Sequence, residues 1–191
     1  RTVTGVQTCA LPIFMEDALP PVSNDKDGVV YYGTYRKWRE DAFRRFLTKG
    51  VTLSASNKNW KKFQAIGCDC DFVPKLEWPK GNEDLRKYKY SIYMEDIHTH
   101  KNYAFLANRF YEALMADVVI LFDAECSNTI EKCGYPIHKD TIIDSDKLKN
   151  GIVEYAKTLD FDTILQYQRL FIHKAMSEKQ DTINQIKDFI K

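Results

Sequence analysis

Cysteine is scarce in this chain and odd in number, five among 191 residues, and no CxxC pair occurs. Such usage supports neither a disulfide framework nor a zinc knuckle, and it predicts reduced thiols in a cytoplasmic protein. No run of about eighteen apolar residues is present, so no membrane-spanning helix is expected. Neither charge sign is in excess, with 28 Lys+Arg against 27 Asp+Glu. That balance argues against a protein that coats polyanions, and it leaves room only for a local basic patch. Internal repeats and low-complexity segments are missing too. What the chain does have is 44% hydrophobic, 13% aromatic and 29% charged residues. It is too apolar for disorder and long enough to bury a core.

Residues 3–13 (VTGVQTCALPI) resemble the translation of a short-read sequencing adapter. The competing reading is a signal peptide with Arg1 as its charged start. Against it, the apolar run Ala10–Met15 is short, is broken by Pro12, and leads to no small-residue cleavage site. On the adapter reading Arg1 and Cys9 are foreign, and an N-terminal portion of the natural protein is expected to be missing. Residues 1–27 are therefore set apart as an artefactual and linker segment, with Pro20, Pro21 and the polar run Ser23–Gly28 forming the linker.

Beyond it, strands and helices alternate. Gly28–Tyr35 reads as a strand and Arg36–Leu47 as a helix with Trp38, Ala42, Phe43, Phe46 and Leu47 on one face, ended by Gly50. Val51–Ala55 is a second strand, and Asn57 is the expected N-cap of a helix over Trp60–Ile66. Asp71–Glu77 reads as an irregular strand whose Pro74 favours a sheet edge. A short helix over Asn82–Tyr88, a strand over Tyr90–Met94 and a polar loop over Glu95–Tyr103 follow. Phe105–Met115 is helical, and Val118–Phe122 is a continuous apolar strand of the kind buried on both faces. Strand–helix repetition with short connections indicates an α/β domain with a parallel sheet over residues 28–145. Helices over 146–157 and 160–191 form a C-terminal extension, apolar at Ile164, Leu165, Leu170, Phe171, Ile183, Ile186 and Ile190.

Ligands of open parallel sheets bind at the carboxyl ends of strands, where helix N-termini point N–H groups outward. Three segments fall there. In the first, Gly33 allows close backbone approach, while Arg36, Lys37 and Arg39 gather cations at a helix start, where an anion is needed to make them favourable. The bland alternative is a solvated, charged helix. The second, Glu95–Tyr103, is polar and holds His98 and His100. H-x-H without a third well-spaced ligand favours a ligand-facing loop over a metal site. In the third, Leu106, Phe110, Ala113 and Leu114 form a buried stripe, while Arg109 and Glu112 share another face with Asn108 nearby. They are either an ordinary intrahelical ion pair or a carboxylate for a ribose diol beside a guanidinium for phosphate. Taken together, the three segments describe a sugar-nucleotide diphosphate site.

The stretch Tyr90–Asp123 resembles the nucleotide-sugar-binding motif of GT-B glycosyltransferases. Phage-encoded enzymes that decorate modified DNA bases are the nearer relatives, and the α-1,3-fucosyltransferases are more distant. Counterparts of the fucosyltransferase pattern are Tyr93 and Glu95, Tyr103, Arg109 in place of a lysine, and Glu112-Ala113-Leu114 before Val118-Val119. Asp117 departs from a usual glycine, and Ile120-Leu121 from a usual proline. The resemblance implies one half of a GT-B fold, the C-terminal Rossmann-like domain that holds the donor. Glu112 would take the ribose diol, Arg109 with Arg36 or Lys37 the diphosphate, and Glu95, Tyr103 and Asn108 would line the pocket beside Gly33. It further implies a UDP- or GDP-linked sugar as substrate, no bound metal or other cofactor (no convincing DxD motif occurs), and cytoplasmic action, in a host cell if the gene is a phage's. The acceptor, modified DNA or a glycan, and the general base would belong to the absent N-terminal half.

Two rivals share these residues. A stand-alone nucleotide-binding or sequestering module would use the same site without chemistry, and a flavodoxin-like domain would present the loops to a protein partner.

Overall fold

A strand that is apolar at every position must be covered on both faces. Val119–Asp123 has that place in the computed structural model, which describes residues 25–76, 81–95, 106–132 and 135–190. Among the described residues six strands form one sheet in the order β3-β2-β1-β4-β5-β6, every adjacent pair parallel. They are β1 (Val29–Tyr32), β2 (Val51–Ala55), β3 (Asp71–Pro74), β4 (Tyr90–Tyr93), β5 (Val119–Asp123) and β6 (Ile142–Ile143). The helices are α1 (Glu40–Phe46), α2 (Asn57–Ala65), α3 (Gly81–Leu85), α4 (Asn108–Met115), α5 (Ser127–Lys132), α6 (Ile152–Lys157) and α7 (Phe161–Ile190).

The two-residue period of the strands divides the interior into two cores. Val29, Tyr31, Val119 and Leu121 face one, packed with Phe43, Phe46 and Phe63 from α1 and α2. Val30, Ile120 and Phe122 face the other, with Phe110 and Leu114 from α4. The tail belongs to both: Ile152, Ile164 and Leu165 enter the first core and Ile172 the second. Pro74 ends β3 at the sheet edge, where its missing N–H costs no ladder bond.

Several sequence expectations shift. The first strand stops at Tyr32, and the expected helix over 36–47 begins as a 3-10 turn, Lys37–Arg39, before α1. That change of pitch takes Trp38 off the buried face, leaving it 64% exposed. Ser56, not Asn57, caps α2, its hydroxyl accepting from the Asn59 N–H. The segment before Gly151 forms turns rather than helix, and Gly151 itself (φ +85°) starts α6. Leu170 is exposed rather than packed. Helix α5 and the two-residue β6 carried too little periodicity to be read. Lys26, at the end of the expected linker, is buried and donates to the carbonyls of Arg86 and Ala116 at 2.7 and 3.2 Å. Burial lowers its pKa to about 8, against the pull of Asp117.

One contact ties the long helix to the sheet. β6 pairs with β5 only at Phe122 and Asp123, so the preceding edge of β5 needs another partner. Gln168 of α7 supplies it, donating to the Val118 carbonyl at 2.8 Å and accepting from the Ile120 N–H at 3.2 Å. Next to it, Arg169 grips Asp117 with two bonds of 2.7 Å, fixing a non-glycine residue at φ +59°. Gln168→Leu fills the same space but orphans two buried backbone groups. It should cost about 2–4 kcal/mol of unfolding free energy, measured as a lower urea midpoint; an unchanged midpoint would contradict this role.

Candidate functional site

From β1 the chain crosses to β2 on one side, and from β4 to β5 on the other, yet β1 and β4 are neighbours. Their connections diverge at the carboxyl ends, which is where an open parallel sheet leaves a crevice. A cleft of about 380 Å³ lies there, and its walls are those two connections: Tyr32, Gly33, Thr34, Arg36 and Arg39 after β1, and Glu95 with Ala107, Asn108, Arg109 and Glu112 after β4.

Each wall has a local cause. Arg36 and Arg39 are three residues apart across the 3-10 turn, closed by the Arg39 N–H donating to the Arg36 carbonyl at 3.0 Å. With three residues per turn, positions i and i+3 share one side, so both residues line the cleft. Arg39 is paired with Glu95, and Arg36 is exposed with its guanidinium 5.9 Å from the centre of the Trp38 ring. Lys37 falls on another side, exposed and away from the cleft lining. On α4, Phe110, Ala113 and Leu114 are buried, which turns Arg109 and Glu112 to the opposite wall. That helix starts at Ala107 with no side-chain cap and no acidic residue in its first turn. Its first N–H groups and positive dipole end therefore border the cleft.

Charge is concentrated around this cleft, with Arg39, Arg109, Glu95 and Glu112 in its walls and Arg36 exposed at its mouth. Glu95 is buried and ion-paired to both Arg39 and Arg109, the latter at 3.3 Å. Arg109 also donates to the Tyr31 hydroxyl at 3.0 Å, and its guanidinium lies 5.5 Å from the centre of that ring. Burial works against the Arg109 charge, but the Tyr31 hydroxyl and Glu95 outweigh it and raise its pKa. Burial raises the Glu112 pKa from its ordinary value, against the opposing pull of the Tyr32 hydroxyl and Arg109. The Tyr32 hydroxyl donates its one proton to the Arg109 carbonyl at 2.7 Å. Gly33 has an ordinary φ and is required for space: a Cβ there would sit 3.1 Å from the Tyr31 hydroxyl and 3.5 Å from an Arg109 nitrogen.

Of the residues singled out in the sequence, Gly33, Arg36, Arg39, Glu95, Asn108, Arg109 and Glu112 converge on this cleft, and Lys37 does not. Tyr103, His98 and His100 lie outside the described residues. Tyr32 and Thr34 join the lining, and Tyr31 stands beneath it, bonded to Arg109. The two tyrosines were legible only as strand residues, although a buried phenol needs a polar partner at the strand's end.

Other features are poorer candidates. A broader hollow of about 670 Å³ near Asp144, Lys149 and Glu154 mixes exposed charges away from the β1–β4 crevice, and its Lys147 already donates to the carbonyls of Lys139 and Ile142. Burial pushes the thiol of Cys68 up to about 11 and that of Cys70 to about 12, too high for nucleophiles. Among the described residues no cluster of His, Cys, Asp and Glu is placed to hold a metal, and no helix is long and apolar enough to cross a membrane.

No protein-family model and no curated protein matches the chain. Solved structures do. The β-glucosyltransferase of phage T4 in complex with UDP and Mn²⁺ superposes with a TM-score of 0.69 at 18% identity, covering 95% of this chain and 53% of that one. The fold is shared. It is an all-parallel, Rossmann-like sheet with flanking helices, as the alternation of strands and helices implied. A structure described as the DNA-modifying enzyme β-glucosyltransferase, with and without uridine diphosphoglucose, aligns at a TM-score of 0.66 and 20% identity over 90% of this chain and 53% of its own. The T4 enzyme in complex with UDP-glucose gives 0.66 and 18% over 90% and 51%. The chain thus spans about half the length of the structures it matches.

Gly33→Ala tests the packing under the cleft. The added methyl would press on the Tyr31 hydroxyl at 3.1 Å, which must shift by a few tenths of an ångström and so disturb its bond to Arg109. A crystal structure of the variant should show the Tyr31–Arg109 bond lengthened or broken; a bond kept at 3.0 Å would refute the argument.

Proposed function

We propose that this chain is the donor-binding half of a nucleotide-sugar-dependent glycosyltransferase. The observation that carries the reading is the Arg109–Glu112 pair, one helical turn apart, facing Gly33 across the crevice between β1 and β4. A carboxylate held in the wall can accept both hydroxyls of a ribose diol. Guanidiniums and an uncapped helix N-terminus suit a diphosphate. The spacing of the two groups on one helix matches a ligand that carries a diol and a diphosphate together. Gly33 and Thr34 supply backbone and hydroxyl beside it, with Asn108 at the rim.

In transfer, the bond between sugar and diphosphate breaks and negative charge grows on the departing phosphate. Arg39 and Arg109, held by Glu95, with the α4 N-terminus and Arg36 at the mouth, would stabilise that charge as preorganised dipoles and cations do. The acceptor and the group that deprotonates it would come from a second half of comparable size, matching the length of the solved relatives. Modified DNA is the favoured acceptor because a relative is described as DNA-modifying, and a glycan is the other. The uridine nucleotides in the relatives favour UDP over GDP as the donor's carrier, in a cytoplasmic setting where such donors are made.

One relative was captured with Mn²⁺. The residues around this cleft do not suit a resident divalent cation: Glu95 already serves two guanidiniums, and a cation at Glu112 would meet Arg109.

Removing the diol contact is the direct test. Glu112→Ala should weaken UDP binding by roughly 1.5–3 kcal/mol, the loss expected for charged hydrogen bonds, in calorimetric titrations run with EDTA, while the melting temperature holds. Equal affinity of variant and wild type would remove Glu112 from the site.

A further inference from the structure

Glu95 lines the cleft, yet its carboxylate is already engaged. It is 8% exposed, and one oxygen meets Arg39 while the other meets Arg109 at 3.3 Å. The two arginines arrive from different connections, Arg39 from the turn after β1 and Arg109 from the first turn of α4. Arg109 is pinned further by the Tyr31 hydroxyl at 3.0 Å and the Met94 carbonyl at 3.5 Å. A carboxylate on the floor of a site for a polyanionic ligand is repulsive by charge, so its presence needs another reason.

We propose that Glu95 is a positioning residue rather than a ligand contact: with Tyr31 it holds the Arg39 and Arg109 guanidiniums side by side as a preset clamp for a nucleoside diphosphate. The proposal rests on the nucleotide-binding reading of the cleft. An arginine side chain has many rotamers, and fixing two of them when ligand arrives weakens binding. Here both are fixed during folding. One carboxylate between two guanidiniums also leaves a net positive charge on the floor, enough to attract an anion. A pyrophosphate spans two cations, whereas a monophosphate reaches one, so the clamp selects by phosphate number.

Charge and positioning predict opposite signs, which makes the idea testable with the full chain. UDP and UMP are titrated calorimetrically into wild type, Glu95→Gln and Tyr31→Phe, with melting temperatures recorded. If Glu95 positions the arginines, Glu95→Gln should lower UDP affinity about tenfold and leave UMP nearly unchanged. Tyr31→Phe should narrow the UDP/UMP ratio in the same direction by a smaller factor. If Glu95→Gln binds UDP as tightly as wild type or tighter, or loses both nucleotides equally at an unchanged melting temperature, the positioning role is overturned. Should Glu95→Gln fail to fold, Tyr31→Phe decides alone, and an unchanged ratio overturns the proposal. Wild type that binds neither nucleotide overturns the reading of the cleft itself, an outcome distinct from either variant result.

Discussion

The parallel pairing of β1 with β4 is the constraint on which everything else depends. Val29 aligns with Tyr90 and Val30 with Ser91, and from there the chain leaves in opposite directions. Two adjacent strands whose connections part company cannot close over their own carboxyl ends. The crevice is therefore a consequence of strand order, and the order follows from apolar strands alternating with amphipathic helices. The residues at its rim are chemistry placed on an opening the topology already makes.

What fills the opening is electrostatically unusual. Buried charges are costly unless paired and hydrogen-bonded, and this floor holds two guanidiniums (Arg39 and Arg109) and two carboxylates (Glu95 and Glu112) in little space. The pairing is nearly complete inside the fold: Glu95 takes two arginines, Tyr31 takes one of them again, and Tyr32 bonds the Arg109 backbone. Arg36 and the N–H groups of α4 remain at the mouth. The cleft is thus rigid below and cationic above, an arrangement suited to an anionic ligand with a neutral, hydroxyl-bearing end near Glu112. The shared fold with T4 β-glucosyltransferase agrees with that inference, but at 18–20% identity it is an agreement of architecture, and the chemistry rests on the residues.

Much of this was legible in the sequence, and the failures are instructive. β2 begins and ends where its β-branched run does, and the apolar stripe of α4 correctly turned Arg109 and Glu112 to one wall. The turn after β1 went wrong in detail because an α-helical pitch was assumed there. At three residues per turn Arg36 and Arg39 pair up, while Lys37 and Trp38 swing away. Tertiary partners were beyond reach: nothing local marks Gln168 as a substitute strand, or Glu95 as the partner of Arg39, 56 residues before it. β6 has two residues and no period to read.

The account stands or falls on where a nucleotide lands, and amide chemical-shift mapping reads that directly. Titration of isotopically labelled chain with UDP should move the backbone signals of residues 32–39, Glu95 and 107–112, the two walls of the β1–β4 crevice. Shifts confined to residues 144–158, around the larger hollow, or no shifts at millimolar UDP, would contradict it.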